Sequence, residues 1–404
     1  CLSVRIPSTD LTSPKMLLGY ILFGLIIGLQ FFHRTQTDVP RTGSLPDSWA
    51  LTVAAIPWLA MILAWSAFTR DIPQMRELIR IFPGVVLAMI YWRNGVSSRE
   101  QLTIFRAIAI CGFIAAAVGI GQYAGLDPVG WQYSFKEGVF SFLGHPNMLA
   151  PLLVTALAFQ VTLGRIASDI RSKWVWWSLI PGTLGCLVLT FSKGAWLGAL
   201  IALVVTIPFK PRHRVAFVLV VLLVAGASMF AVKADIPGRM MSDNALRPAI
   251  WQSSMQMLDS PADWLIGHGP GTWFMEFPSH RDPQFLPRFR RTENIRHAHN
   301  ELLEQLCETG LLGVILFACI WLTFLRLFSN RLKQRCLTPL EKAATYSMVA
   351  ILIHSLVSVN LRTFSVWTLF WIIAAFALEK RFPEKPRHID SLLTKKKPVL
   401  LVSM

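Results

Sequence analysis

The chain has 404 residues, 53% of them hydrophobic and 15% charged, with a formal net charge of +16. Soluble domains carry about a quarter charged residues, so this composition excludes an ordinary soluble globule and points to an integral membrane protein. The basic excess is first a matter of topology, because positive residues stay on the cytoplasmic side of a membrane, and nucleic acid is not an expected partner.

Apolar runs near the ~20 residues needed to cross a bilayer recur along the chain. In order they predict eleven spans, near 16–32, 48–67, 76–92, 104–124, 147–164, 174–191, 194–208, 214–232, 309–329, 344–360 and 364–379. The expected fold is all-α: one polytopic membrane domain over 1–404, with about 11–12 transmembrane helices. Trp174, Trp176 and Trp177 sit at a span end, where amphipathic rings prefer to lie.

The tail 380–404 carries Lys380, Arg381, Lys385, Arg387 and the run Lys395, Lys396, Lys397, which assigns it to the cytoplasm. Counting back, the basic connections at 330–343, 209–214 and 165–173 fall on the same side. Cys1 then lies outside, and with no initial Met either an earlier span precedes the sequence or two spans are merged in this count. Six cysteines show no CxxC spacing and indicate neither a disulfide framework nor a zinc site.

The same count places 125–146 and the large loop 233–308 outside. The large loop is basic although external, with Arg239, Arg247, Arg281, Arg288, Arg290, Arg291 and Arg296. Long loops escape the charge rule, so these arginines need another reason. Within the loop, "RPAIWQSSMQML" has Pro248 placed for a first helical turn, with Ile250, Trp251, Met255 and Leu258 at helical spacing. "IGHGPGTW" is a glycine turn, and "RDPQFLPRFRRTENIR" is irregular.

The loop ends in "HAHNELLEQLCETGLLG". His297 and His299 are two apart, so in an extended approach both face one way, and Asn300 is placed to cap the helix that follows. These histidines are either a solvated helix cap or a general base, since a neutral imidazole accepts a proton from an attacking hydroxyl. A metal reading would need His268, His280 or a glutamate as further ligands, and no HExxH spacing exists. Guanidinium grips phosphate bidentately, so the loop arginines either bind an anionic lipid-linked group or are simply solvated near an anionic surface. Arg247 is the best placed, at the expected start of a helix where an anion would also meet free N–H groups. Lys193 in "TFSKGAWLG" and His145 in "GHPN" are external charges close to span ends, either snorkelling to water or serving a site. His354 and Arg362 flank the last external turn and are assigned structural roles. No DxD pair occurs in either external loop, which argues for a leaving group neutralised by arginine rather than by Mg²⁺.

The order of "GHPNMLA", "LTFSKGAWLG", "RPAIWQSSMQML", "WLIGHGPGTW" and "HAHNELLEQLCETGLLG" resembles the O-antigen ligase and polymerase superfamily, over roughly residues 100 to 380. The resemblance implies a membrane-embedded glycosyltransferase of the GT-C type, metal-independent, inverting and without a cofactor. It would take a glycan from undecaprenyl pyrophosphate on the periplasmic side of the inner membrane, and the ligase branch would deliver it to lipid A-core. On that reading His299 is the catalytic base and Arg247 the catalytic arginine. His297, Asn300, Lys193, His145, Arg288, Arg290 and Arg291 bind substrate. Lys193 replaces the arginine usual in the family's turn, keeping charge but losing the bidentate fork. Chain polymerases and protein O-oligosaccharyltransferases share the motifs. The protein-modifying branch often carries a large soluble C-terminal extension, and here only 25 residues follow the last span. A transporter or lipid flippase is the reading from another class, opposed by spans with few buried acids and no paired broken helices.

Overall fold

The computed structural model describes residues 48–69, 80–88, 98–127, 138–206, 243–281, 295–333 and 337–377. Among the described residues the chain is helical and has no strand. The expected spans at 16–32 and 214–232, Arg239, Arg288, Arg290, Arg291 and the tail 380–404 lie outside the described residues. The other expected spans coincide with helices: α1 (Ser48–Thr69), α2 (80–88), α3 (Ser98–Tyr123), α4 (Pro146–Ile166), α5 (Ile170–Leu189) and α6 (Lys193–Thr206), then α10 (Glu301–Lys333), α11 (Pro339–Ser355) and α12 (Phe364–Ala377). Between them the large loop supplies α7 (Asp243–Met255), α8 (Pro261–Ile266) and α9 (Trp273–Glu276).

Three of the described helices are long and apolar enough to cross a bilayer: Arg99–Tyr123, Pro146–Ile166 and Glu301–Arg331. Val53–Trp65, Lys193–Leu203 and Phe364–Ala375 are shorter apolar stretches. α11 carries polar residues, Thr345, Ser347 and His354, but buries them within the bundle, so it does not need an apolar surface all round. Ile110, Ile114, Leu184, Val188, Leu312, Ile315 and Leu322 are large apolar side chains left exposed on α3, α5 and α10. A rim of this kind suits hydrocarbon, and the chain is a membrane protein.

Two apolar cores hold the bundle. One joins α1, α2, α3, α4, α10, α11 and α12 around Trp58, Phe105, Phe159, Phe324 and Trp371. The other joins α3 to α6 and α11 around Leu149, Leu153 and Cys186. The large loop has a third core of its own, with Ile250, Met257, Trp273, Phe277, Ala298 and Cys307. Trp273 and Phe277 stack there at 4.4 Å.

The helix after the histidines begins at Glu301, directly after the expected Asn300 cap and ahead of the apolar run at 309. It breaks at Gly310, which has φ 63° and ψ −170°. The break frees the carbonyls of Cys307 and Glu308, which accept instead from His268 N at 3.0 Å and Gly269 N at 2.7 Å. A Cβ at Gly310 would lie 2.3 Å from the Leu265 carbonyl carbon, so only glycine allows this approach. Pro248, expected in a first turn, lies inside α7, which starts at Asp243, a residue type favoured at helix N-termini. Arg247 therefore stands in the second turn, away from the free N–H groups of the helix start.

Candidate active site

The segment between the loop core and α10 is held by its backbone. Ala298, fully buried between the two histidines, donates its N–H to Glu304 Oε2 at 2.7 Å and accepts at its carbonyl from Trp251 Nε1 at 2.9 Å. Asn300 Oδ1 accepts from Leu303 N at 3.1 Å, the expected cap on the helix start. His299 takes a left-handed φ of 54°, unusual for a residue with a side chain. The approach is thus not extended throughout, yet both imidazoles line one pocket.

His297 Nδ1 lies 2.8 Å from Glu304 Oε1. Because Glu304 Oε2 already accepts from Ala298, the carboxylate acts as the acceptor and Nδ1–H donates. The carboxylate thereby sets the tautomer of the ring.

Beneath the histidines, Glu301, Glu304, Gln305 and Glu308 form a buried polar stripe on the first turns of α10. Arg362, from the turn Asn360–Arg362, answers it. Its Nε donates to Glu301 Oε1 at 2.9 Å, Nη1 to Glu308 Oε2, and Nη2 to Gln305 Oε1 at 3.4 Å, with Glu304 Oε1 3.8 Å from Nη1. Arg80 of α2 adds a second cation near Glu301 and donates to Leu361 O at 2.6 Å. Its guanidinium lies over the Trp367 ring. The structural role expected of Arg362 is therefore a central one.

The pocket holds roughly 310 Å³ of empty space, open water included, between His145, Asn147, Met148, His297, His299, Ser358, Val359 and Asn360. Among the described residues the His299 ring has no hydrogen bond. Burial, then the charge of Arg247, then His297 and His145, push its pKa down to about 3. The imidazole is neutral at physiological pH because it is largely desolvated beside a cation. Arg247 Nη1 donates to Val357 O at 2.6 Å, beyond the end of α11, which fixes the guanidinium beside the pocket. His145 is the N-cap of α4, its Nδ1 accepting from Asn147 N at 3.1 Å, with Pro146 at the first helical position. The loop that delivers it is pinned by Gln122, which accepts from Ser141 N at 2.7 Å and donates to Ser141 O at 3.1 Å.

Of the sequence-predicted residues, His145, His297, His299 and Arg247 come together, and Asn300 orders the same segment. Lys193 is exposed at the start of α6, and it is its neighbour Ser192 that reaches toward the pocket wall through Asn147. Arg281 lies over the Phe277 ring and Arg296 is exposed. His268 and His280 are tied elsewhere, to Met257 O at 2.7 Å and Glu276 O at 2.9 Å. Among the described residues no three His, Cys, Asp or Glu side chains are grouped to hold a metal ion. Sequence reasoning missed Glu304, Trp251, Asn147, Ser192 and Asn360. A signal for Glu304 was present: acids at 301, 304 and 308 share one face of a helix bound for a membrane, and such a stripe requires a cation.

A family model described as O-Antigen ligase matches residues 178–318, a segment that contains Arg247, His297, His299 and Glu304 but not His145, Asn360 or Arg362. No curated protein matches the chain. With an all-helical membrane body and this match, the chain is similar to the O-antigen ligase family over residues 178–318.

Proposed function

We propose that the chain is an O-antigen ligase, transferring a glycan from undecaprenyl pyrophosphate to a sugar hydroxyl of lipid A-core at the periplasmic face of the inner membrane. The observation that carries this is a neutral imidazole, His299, in a pocket where the large loop meets the bundle, with the Arg247 guanidinium close enough to act on it. In the reaction His299 takes the proton of the acceptor hydroxyl, and the oxygen attacks the anomeric carbon from the face opposite the leaving group. The bond from that carbon to the pyrophosphate oxygen breaks, and the pyrophosphate leaves with the electron pair. Arg247 matches the charge that develops there. The body is then of the GT-C type, with 233–308 periplasmic and the 380–404 tail cytoplasmic. Lys193, Arg288, Arg290 and Arg291 assist the donor phosphates, with no divalent metal and no cofactor.

One observation favours a different base. His297 carries the carboxylate partner, Glu304, that usually orients a catalytic imidazole, whereas His299 has none. If His297→Gln abolishes transfer and His299→Gln does not, the roles exchange.

The test is purified chain in detergent with undecaprenyl-pyrophosphate-linked glycan and lipid A-core, in excess EDTA. Glycan appearing on lipid A-core supports the ligase. Chains lengthening on the lipid carrier without lipid A-core make it a polymerase, and transfer to a protein acceptor alone makes it a protein O-oligosaccharyltransferase. Loss in EDTA with rescue by Mg²⁺ would show that the leaving group is neutralised by metal, and movement of lipid without transfer would make it a flippase.

A further inference from the structure

One pocket-lining group has no partner. Asn360 is 1% exposed, and its Oδ1 is buried without a hydrogen-bond donor. The orientation of the amide is settled by its surroundings. Nδ2 faces the carbonyl of Ile351 at 3.4 Å, which can only accept, and His354 Nδ1 at 3.0 Å. Both amide protons are thereby used on the inner side, and the oxygen is left without one.

The consequences run across three helices. His354 Nδ1 accepts, so the ring carries its proton on Nε2 and donates to Ser192 Oγ at 3.3 Å. Ser192 has one proton to give, and it goes to Asn147 Oδ1 at 2.7 Å. That turns the oxygen of Asn147 toward Ser192 and leaves its Nδ2 without a partner among the described residues. Asn147 and Asn360 both line the pocket that holds His297 and His299. A single directed relay therefore ends in a bare acceptor at Asn360 and a bare donor at Asn147, each polarised by the bonds behind it.

The chemistry selects the ligand. A hydroxyl both donates and accepts, and it satisfies either amide. A pyrophosphate at neutral pH offers only lone pairs, which Asn360 Oδ1 repels. A hydroxyl that gives its proton to Asn360 cannot at the same moment give it to an imidazole, so the group held here is a neighbour of the nucleophile.

We propose that Asn147 and Asn360 form the acceptor-sugar subsite, gripping a non-reacting hydroxyl and so deciding which sugar position attacks, with Ser192 and His354 as positioning residues. This rests on the glycosyl-transfer reading above and adds the acceptor side of the same pocket.

The experiment is steady-state kinetics of the full chain in detergent, with undecaprenyl-pyrophosphate glycan saturating and lipid A-core varied, then the reverse. Asn360→Ala and Asn147→Ala should raise the acceptor KM roughly tenfold to a hundredfold and leave the donor KM within about twofold. Ser192→Ala should raise the same acceptor KM by less, and should add little in the Asn147→Ala background, because it touches that amide directly and Asn360 only through His354. Its small change keeps the test open if Asn360→Ala fails to fold. An unchanged acceptor KM in all three, while His299→Gln is inactive, would mean that the amides meet only water, and the subsite falls while the transfer reading stands. A shift in the donor KM instead would also overturn it. Full turnover in both His299→Gln and His297→Gln would sink the transfer reading itself.

Discussion

The two walls of the pocket are built by opposite means. On one side the start of α4 and the turn Asn360–Arg362 present His145, Asn147 and Asn360. These groups are held by hydrogen bonds between residues far apart in sequence, such as Ser192 to Asn147 and His354 to Ser192. On the other side the large loop presents His297 and His299, fixed by the clamp on Ala298 and by Glu304, with Arg247 tied to Val357 O beside them. The first wall is mostly amide and hydroxyl and recognises by direction. The second carries an obligate cation and two titratable rings and acts through its field. A site that must match a leaving anion and also orient a neutral sugar needs both, and division into two walls keeps the anion away from bare carbonyl oxygens.

Four changes test that division, in order of expected size. His299→Gln keeps a hydrogen-bonding side chain but cannot take the proton, and should cost about 10²–10⁴ in kcat with donor binding retained. Single-turnover transfer measures it, and a rate near wild type would leave the ring without a catalytic part. Arg247→Lys keeps the charge and loses the fork. It should cost on the order of 2–4 kcal/mol in transition-state stabilisation, read from kcat/KM for the donor, and normal turnover would remove Arg247 from the leaving-group site.

The third concerns acid. His299 has its folded pKa pushed to about 3, against ~6.5 in an unfolded chain. Between those values the unfolded chain binds the extra proton, so stability is fully present above about pH 6.5 and declines as pH falls toward 3. At pH 5 the contribution lost is about 2 kcal/mol. The melting temperature in detergent should therefore drop less between pH 7 and pH 5 in His299→Gln than in wild type. Equal drops would show that the ring is not held neutral by burial. The smallest change is Trp251→Phe, which removes one bond to Ala298 O and should cost about 1 kcal/mol of stability, with a modest fall in kcat as the two histidines lose register. An unaltered kcat would mean that Glu304 alone holds the segment.

Much of the bundle was legible because lipid imposes a simple demand: apolar runs of span length are hard to hide, and α3, α4 and α10 lie where those runs do. His299 and Arg247 were legible as chemistry in a long loop rich in arginine. The bundle wall was not. Asn147, Ser192, His354 and Asn360 are single polar residues at helix ends, and only the packing of α4, α6 and α11 turns them into a connected path. Nor could the sequence show that Arg247 follows a turn of helix, since Pro248 is the ordinary mark of a helix start.

Arg362 carries a consequence for how the enzyme is made. It is synthesised after Glu301, Glu304 and Glu308, and until it arrives these acids stand together without the guanidinium that joins them. A chain stopped before residue 360 would hold a helix start crowded with like charge, and the Glu304 that orients His297 would lack its nearest cation on α12's side. The turn Asn360–Arg362 thus acts as a lock on the helix start inserted before it. Ribosome-bound chains ending before and after Arg362 should differ sharply in protease protection of the segment around His297. Equal protection would show that the loop core seats the histidines before the lock closes.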